Sequence, residues 1–359
     1  MSIRIEDIFF ELLLVAIGNA DCLSHTPTDK EWKALYDMAK KQSLVGVCFA
    51  GVQKLVEQQR APEEMLYLTW MGMAAKIQQR NEVVNRQCVV LQASLAGDGF
   101  RSCILKGQGV ARFYGSIAGL RQSGDIDIWV EGRRDNTIKN LREKGINIKE
   151  ADIHHGVAEC FRETEVEIHF KPSWFYNPFT YRTFNNWIDS KSNDCFCNEK
   201  GGIITPTTEF NLVYLVIHIY RHFLSEGVGI RQLMDYYFVL LASNEIERAN
   251  ANYVLRKLGL ERFSSAIMAC LEIIFSLEKC FCFIESNFEN STFVLQEILN
   301  AGNFGKSDKR YKWDGNLVRC MHPLFKRWLL MVRYYPSEIV CQPFWKLWHY
   351  SWRKMHHYI

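Results

Sequence analysis

Apolar residues recur at three- and four-residue intervals through most of the first hundred positions, a period that predicts helices. The stretch KEWKALYDMAKKQSLVGVCFAGVQKL carries this period, and a longer one is expected to start near Pro62 and stop at Gly97 with the Asp98-Gly99 pair. The pattern changes at Phe100. Residues 101–105 form a short strand-like run ending in Lys106-Gly107-Gln108-Gly109, followed by a short helix over 110–114 and a loop over 115–124. DIDIWV (125–130) alternates acidic and apolar side chains, the period-two mark of a strand with two different faces. A helix is predicted over 133–144, closed by Gly145, and strand-like runs over 153–161 and 166–170 read as a hairpin. Helical periodicity returns near residue 205, with Thr205-Pro206 as its expected start, and continues through NLVYLVIHIYRHF and RQLMDYYFVLLA. The expected fold is therefore α+β: a helical region over 1–97, a small sheet core with helices over 98–204, and a second helical region over 205–359.

Composition adds exclusions. The 359 residues are 48% hydrophobic and 23% charged, ordinary values for a globular chain. The apolar run near the start is interrupted by Glu6, Asp7 and Glu11, which argues for an amphipathic helix and against a secretory signal. The most apolar stretch, FNLVYLVIHIY (210–220), falls short of the roughly 20 residues a membrane span needs. Twelve cysteines are scattered through apolar segments, and the two Cys-x-Cys pairs (Cys195/Cys197, Cys280/Cys282) lack zinc-site spacing. A cytoplasmic protein with reduced thiols is expected.

Charge is uneven. The chain carries a net +3, yet from Lys309 onward ten Lys/Arg stand against two Asp/Glu, among Trp313, Trp328, Trp345, Trp348 and Trp352. A basic, aromatic-rich end can contact nucleic acid or an acidic membrane. Its helical spacing favours an ordinary packed helix pair with a solvated basic face.

The chemistry concentrates at Gly124-Asp125-Ile126-Asp127-Ile128. Carboxylates two apart on a strand share a face, and their repulsion invites a hard cation. Lys106-Gly107 stands at a strand end leading into a helix, where glycine, helix N–H groups and the Lys106 charge suit phosphate. Arg121 can reach the same phosphates. If 166–170 lies beside DIDIWV, Glu167 supplies a third carboxylate, placed to relay a proton from an acceptor hydroxyl; the competing reading pairs it with Arg162. His169 shares the face of Glu167 and is a candidate phosphate contact or partner of the carboxylates. His154 and His155 could line the cleft. His218 and His222 lie one turn apart, but no H-E-x-x-H motif surrounds them and a zincin is excluded. Arg231 and Asp235 have the spacing of a helix salt bridge.

Taken together, GFRSCILKGQGVARFYGSIAGLRQSGDIDIWV resembles the uncharacterised nucleotidyltransferase family of the polymerase-β superfamily. The matching positions are Leu105-Lys106-Gly107, Tyr114, Arg121, Asp125 to Val130, His154-His155, Val166 to His169, Ile217-His218 with His222, and Gly229 to Asp235. Most superfamily members carry Gly-Ser after the first strand, where this chain has Lys106-Gly107. The resemblance implies a polymerase-β-like core. It further implies two magnesium ions held by Asp125, Asp127 and Glu167, and a nucleoside triphosphate such as ATP as donor, gripped by Lys106, Gly107, Arg121 and His169. The acceptor would be a small molecule, a protein or an RNA. A non-catalytic nucleotide- or RNA-binding member of the same fold is the alternative.

Overall fold

The protein is described here by a computed structural model covering residues 4–58, 61–149, 151–305, 308, 310 and 328–355. Helix α1 (Ile5–Ile17) ends on left-handed Gly18, and α2 (Asp29–Lys41) opens with a capping box between Thr28 and Glu31. The apolar period runs on from α2 into α3 (Val45–Glu57), yet the chain breaks between them at Ser43, whose φ is 55°. Beside the break, the buried Gln42 side chain accepts from the Ile230 N–H at 2.9 Å. The 34-residue α4 (Glu64–Gly97) then spans the molecule.

The sheet follows. Strand β1 (Ser102–Ile104) leads through the one-turn α5 (Gln108–Ala111) and a 3₁₀ segment (Arg112–Leu120) to β2 (Ile126–Val130). Helix α6 (Arg134–Glu143), β3 (Ile148–Lys149), β4 (His155–Ala158) and β5 (Val166–His169) complete a five-stranded sheet in the order β1-β2-β5-β4-β3. The β4/β5 hairpin is antiparallel as expected, whereas β2 and β5 run parallel. Alternation sorts the faces. Ile126, Ile128 and Val130 pack with Ile168 under Val84, Cys88, Leu91 and Leu95 of α4, and Asp127 and Trp129 point to the other side.

Beyond the sheet, α7 (Pro178–Cys197) occupies a stretch in which no helix was predicted, because its polar, aromatic-mixed sequence lacks a clear apolar stripe. Asn177-Pro178 was the signal available: Asn177 caps the helix and proline fills its first turn. A small hairpin, β6 (Glu199–Lys200) and β7 (Ile203–Ile204), leads to α8 (Thr208–Leu224). The cap of α8 is Thr207, whose hydroxyl accepts from the Phe210 N–H, and not Thr205, which still pairs with Asn198 ahead of the helix. Nearly every side chain of α8 from Phe210 to Leu224 is buried, so it forms the axis against which α9 (Ile230–Leu241) and α10 (Glu245–Lys257) pack. Helices α11 (Glu261–Phe275), α12 (Phe288–Ala301) and α13 (Pro336–Met355) follow.

One apolar core joins the first and last helical regions. It includes Phe9, Leu12, Trp32 and Trp70 together with Phe210, Tyr236, Phe263 and Ile274. The C-terminal aromatics divide. Trp345 stacks near Trp174 and His154, while Trp348 and Phe344 stay exposed and Trp313 lies outside the described residues. Among the described residues no helix is long and apolar enough to cross a membrane, and the eleven cysteines are free thiols.

Candidate active site

Parallel pairing sets Asp127 of β2 directly beside Glu167 of β5. Val157, not Arg162, stands opposite Glu167 on β4. Two residues on, the imidazole of His169 rises on the same face. Its Nε2 lies 2.8 Å from Asp127 Oδ1 and 3.4 Å from Glu167 Oε2. Lys106 comes from the end of β1, whose pairing is extended by the Leu105 N–H on the Asp127 carbonyl. Its Nζ reaches the same Oδ1 at 2.9 Å, and Asp127 is only 2% exposed. Asp127, Glu167 and His169 thus offer three ligand atoms all within 4.8 Å of one another, and among the described residues no other His/Cys/Asp/Glu group converges this way.

The electrostatics follow from this crowding. Burial opposes charge on His169, but its bonds to Asp127 and Glu167 prevail and lift its pKa to about 9. Burial likewise pushes Glu167 up, and the His169 bond and the Lys106 charge overcome it, holding the carboxyl down to about 2. Lys106 is desolvated yet held firmly protonated by Asp127. Two cationic side chains therefore share one Asp127 oxygen, and His169 also reaches Glu167. The two carboxylates suit a hard divalent cation, and the imidazole nitrogen joins them only once it has lost its proton.

Asp125, just before β2, is half-buried and lines the same recess with Lys106, Gly107 and Gly124, but stands outside the three-atom cluster. Gly107 turns the chain with φ 59°, and at Gly109 a Cβ would sit 2.4 Å from the Ile104 carbonyl oxygen, so the turn requires glycine at both. The N–H groups of Gly109 and Val110 donate back to the carbonyls of Lys106 and Gly107, which leaves the turn fewer free donors than a full helix N-terminus offers.

Arg121 is buried and paired with an acid, though its Nη1 has no hydrogen-bond partner among the described residues. Its Nε and Nη2 each lie 2.7 Å from the Asp235 carboxylate, and Tyr114 donates its hydroxyl to the same group at 2.5 Å. The expected Arg231–Asp235 helix pair is thereby replaced. Arg231 donates instead to the Gln122 carbonyl at 2.8 Å and to Asn303 at 3.3 Å. His218 lines the recess, its basicity pushed well down by burial and by Lys106, and packs edge-on to His222. His155 stacks on His169, but His154 turns away and lies flat on Trp174 with ring centroids 4.8 Å apart. Sequence reasoning missed Leu215, Gln232 and Phe304 as recess residues. The first two sit at helical spacing from His218 and Asp235, a signal that was available; Phe304 comes from a loop that nothing local marks.

A sheet with paired carboxylates on neighbouring strands, closed over by a helical region, belongs to the class of nucleotidyltransferase scaffolds, and the comparisons specify it further. The model of the uncharacterised nucleotidyltransferase family matches residues 28–276, and the chain belongs to that family. Among solved structures, an antigenic nucleotidyltransferase-like protein from Paracoccidioides brasiliensis is similar at 14% identity. The match covers 54% of this chain and 96% of that one, with a TM-score of 0.33. No curated protein matches the chain significantly.

Proposed function

We propose that the protein transfers a nucleotidyl group from a nucleoside triphosphate to a hydroxyl acceptor. The observation that carries this reading is the in-register pair Asp127 and Glu167, converging with His169 beside Lys106. Asp125, Asp127 and Glu167 would hold magnesium. Bound there, the metal would neutralise charge on the transferred phosphate and acidify the acceptor hydroxyl.

The chain's own groups account for the rest. Asp127 is held in place from two sides by Lys106 and His169, so its carboxylate costs little to reorganise when substrate enters. Glu167 is ionised and less buried than Asp127, and it orients the acceptor hydroxyl. The acceptor oxygen forms a bond to the α-phosphorus as the bond to the β-phosphate oxygen breaks. Pyrophosphate leaves, and the hydroxyl proton passes by way of Glu167 to water.

The test is magnesium-dependent incorporation of α-³²P label from each of the four nucleoside triphosphates, with cell extract as acceptor source. The Asp125→Asn/Asp127→Asn variant is run beside the wild type. Label incorporation by the wild type alone is expected, at least about 10³-fold above the variant, since both carboxylates act on the reacting phosphate. Equal incorporation by the two proteins would end the assignment. Tight nucleotide binding without turnover across a wide acceptor panel would instead mark a binding protein on this scaffold.

A further inference from the structure

Among the described residues three cations face the recess, and two are paired with acids: Lys106 with Asp127, and Arg121 with Asp235. Arg231 is the third. It is 8% exposed, has no carboxylate within 4 Å among the described residues, and its Nε has no hydrogen-bond partner there. Burial and the neighbouring Arg121 disfavour its charge, and Asp235, Tyr114 and Asp125 offset them only in part. A buried guanidinium left without an acid is costly unless something anionic meets it.

From Arg231 a broader cleft opens outward past Asp125 to Lys41 and Arg80. Arg80 donates to the Glu163 carbonyl at 2.7 Å, and neither it nor Lys41 has a carboxylate within 4 Å among the described residues. Neighbouring Lys40, by contrast, is paired with Asp37 at 2.7 Å. Glu163, Glu165 and Asp125 also line the cleft, so it is not a uniform basic patch. The loop that closes the cleft holds Phe304 at φ 52°, ψ 36°, left-handed for a non-glycine residue, with its ring 6.0 Å from the Arg231 guanidinium. Strain of this kind persists where packing over-determines it, often at ligand sites. Here a Cβ on Gly302 would meet the Lys41 carbonyl oxygen at 2.8 Å, which shows how closely the loop is pressed onto α2.

We infer that this cleft is a polyphosphate site, in which Arg231 takes the inner phosphates of the donor and Lys41 and Arg80 take the outer ones. The assignment rests on the proposed transferase reading for the identity of the donor. It moves the phosphate grip from the turn at Lys106-Gly107 to the helical region. Arg121 then acts as a positioning residue: by occupying Asp235 it keeps Arg231 free of its i+4 neighbour.

Calorimetric titration with inorganic tripolyphosphate and magnesium tests the site without turnover. Arg231→Gln should weaken binding about 10- to 100-fold, the loss of a charge-assisted bidentate contact. Arg231→Lys should recover only part, because the planar fork is gone. The surface double variant Lys41→Gln/Arg80→Gln should weaken binding several-fold and reduce its salt dependence. Wild-type affinity in a folded Arg231→Gln protein would overturn the inference. If that variant fails to fold, wild-type affinity in the surface double variant would overturn it equally. Cleft-dependent tripolyphosphate binding without any label transfer would sink the transferase reading and leave the cleft standing. Label transfer with tripolyphosphate binding indifferent in all three variants would do the reverse.

Discussion

Single residues in this molecule are tuned by what they touch, and His154 shows it most simply. It lies flat on Trp174 near Trp345, and neither ring nitrogen has a hydrogen-bond partner among the described residues. Burial first, and then the Arg221, His155 and His349 charges, outweigh Asp152 and push its pKa from 6.5 to about 3. The native state therefore binds fewer protons than the unfolded chain between those values, so this residue's contribution to stability falls as pH drops through that window. Urea unfolding of a His154→Phe variant should show a shallower loss below pH 6.5, by up to about 1.4 kcal/mol per pH unit. An unchanged slope would show that His154 is not held neutral. Legibility at this scale was uneven. Alternation placed Asp127, Glu167 and His169 correctly on their faces, because strand geometry is local. The fate of each charge was not legible: the same Arg121 reads as a phosphate contact in the sequence and sits on Asp235 in the fold, 114 residues away.

At the scale of elements, the Arg121–Asp235–Tyr114 group ties the 3₁₀ segment before β2 to α9, and so ties the sheet to the helices that wall the recess. Asp235→Asn would leave the Arg121 guanidinium buried against an uncharged amide. The expected cost is about 3–5 kcal/mol, read as a lower denaturation midpoint. A change below about 1 kcal/mol would mean that water or another acid replaces the pair. Strands β1, β2, β4 and β5 and the long α4 were visible in the sequence to within a few residues, because their periods are strong, whereas the two-residue strands β3, β6 and β7 were not. The break between α2 and α3 was not, since no local signal marks Ser43 for its left-handed turn. Nor was α7, whose cap was present but whose face is mixed.

Across the whole molecule, the helices on either side of the sheet share a single core, and Asn19 after α1 bonds the Tyr237 hydroxyl at 2.8 Å and the Phe275 carbonyl at 2.9 Å. Helix α4 joins that core to the second one beneath the sheet, contributing Trp70 to the first and Leu91 to the second. Far-ultraviolet circular dichroism and tryptophan fluorescence should therefore report one coincident unfolding transition. Two separated transitions would show that the helical regions fold independently. The layout of helices around a small sheet could be read from the order of periods along the chain. That the two flanks close on each other could not, because apolar stripes show that a face is buried and not against what.

The position of the radioactive phosphorus in the donor tests the central claim most directly. With α-³²P- and γ-³²P-labelled nucleoside triphosphate run in parallel, the α label is expected on the acceptor and the γ label in released pyrophosphate, both abolished by Asp127→Asn. Transfer of the γ label to the acceptor would make the protein a kinase-like phosphotransferase, and transfer of the α label that survives Asp127→Asn would remove these carboxylates from the chemistry.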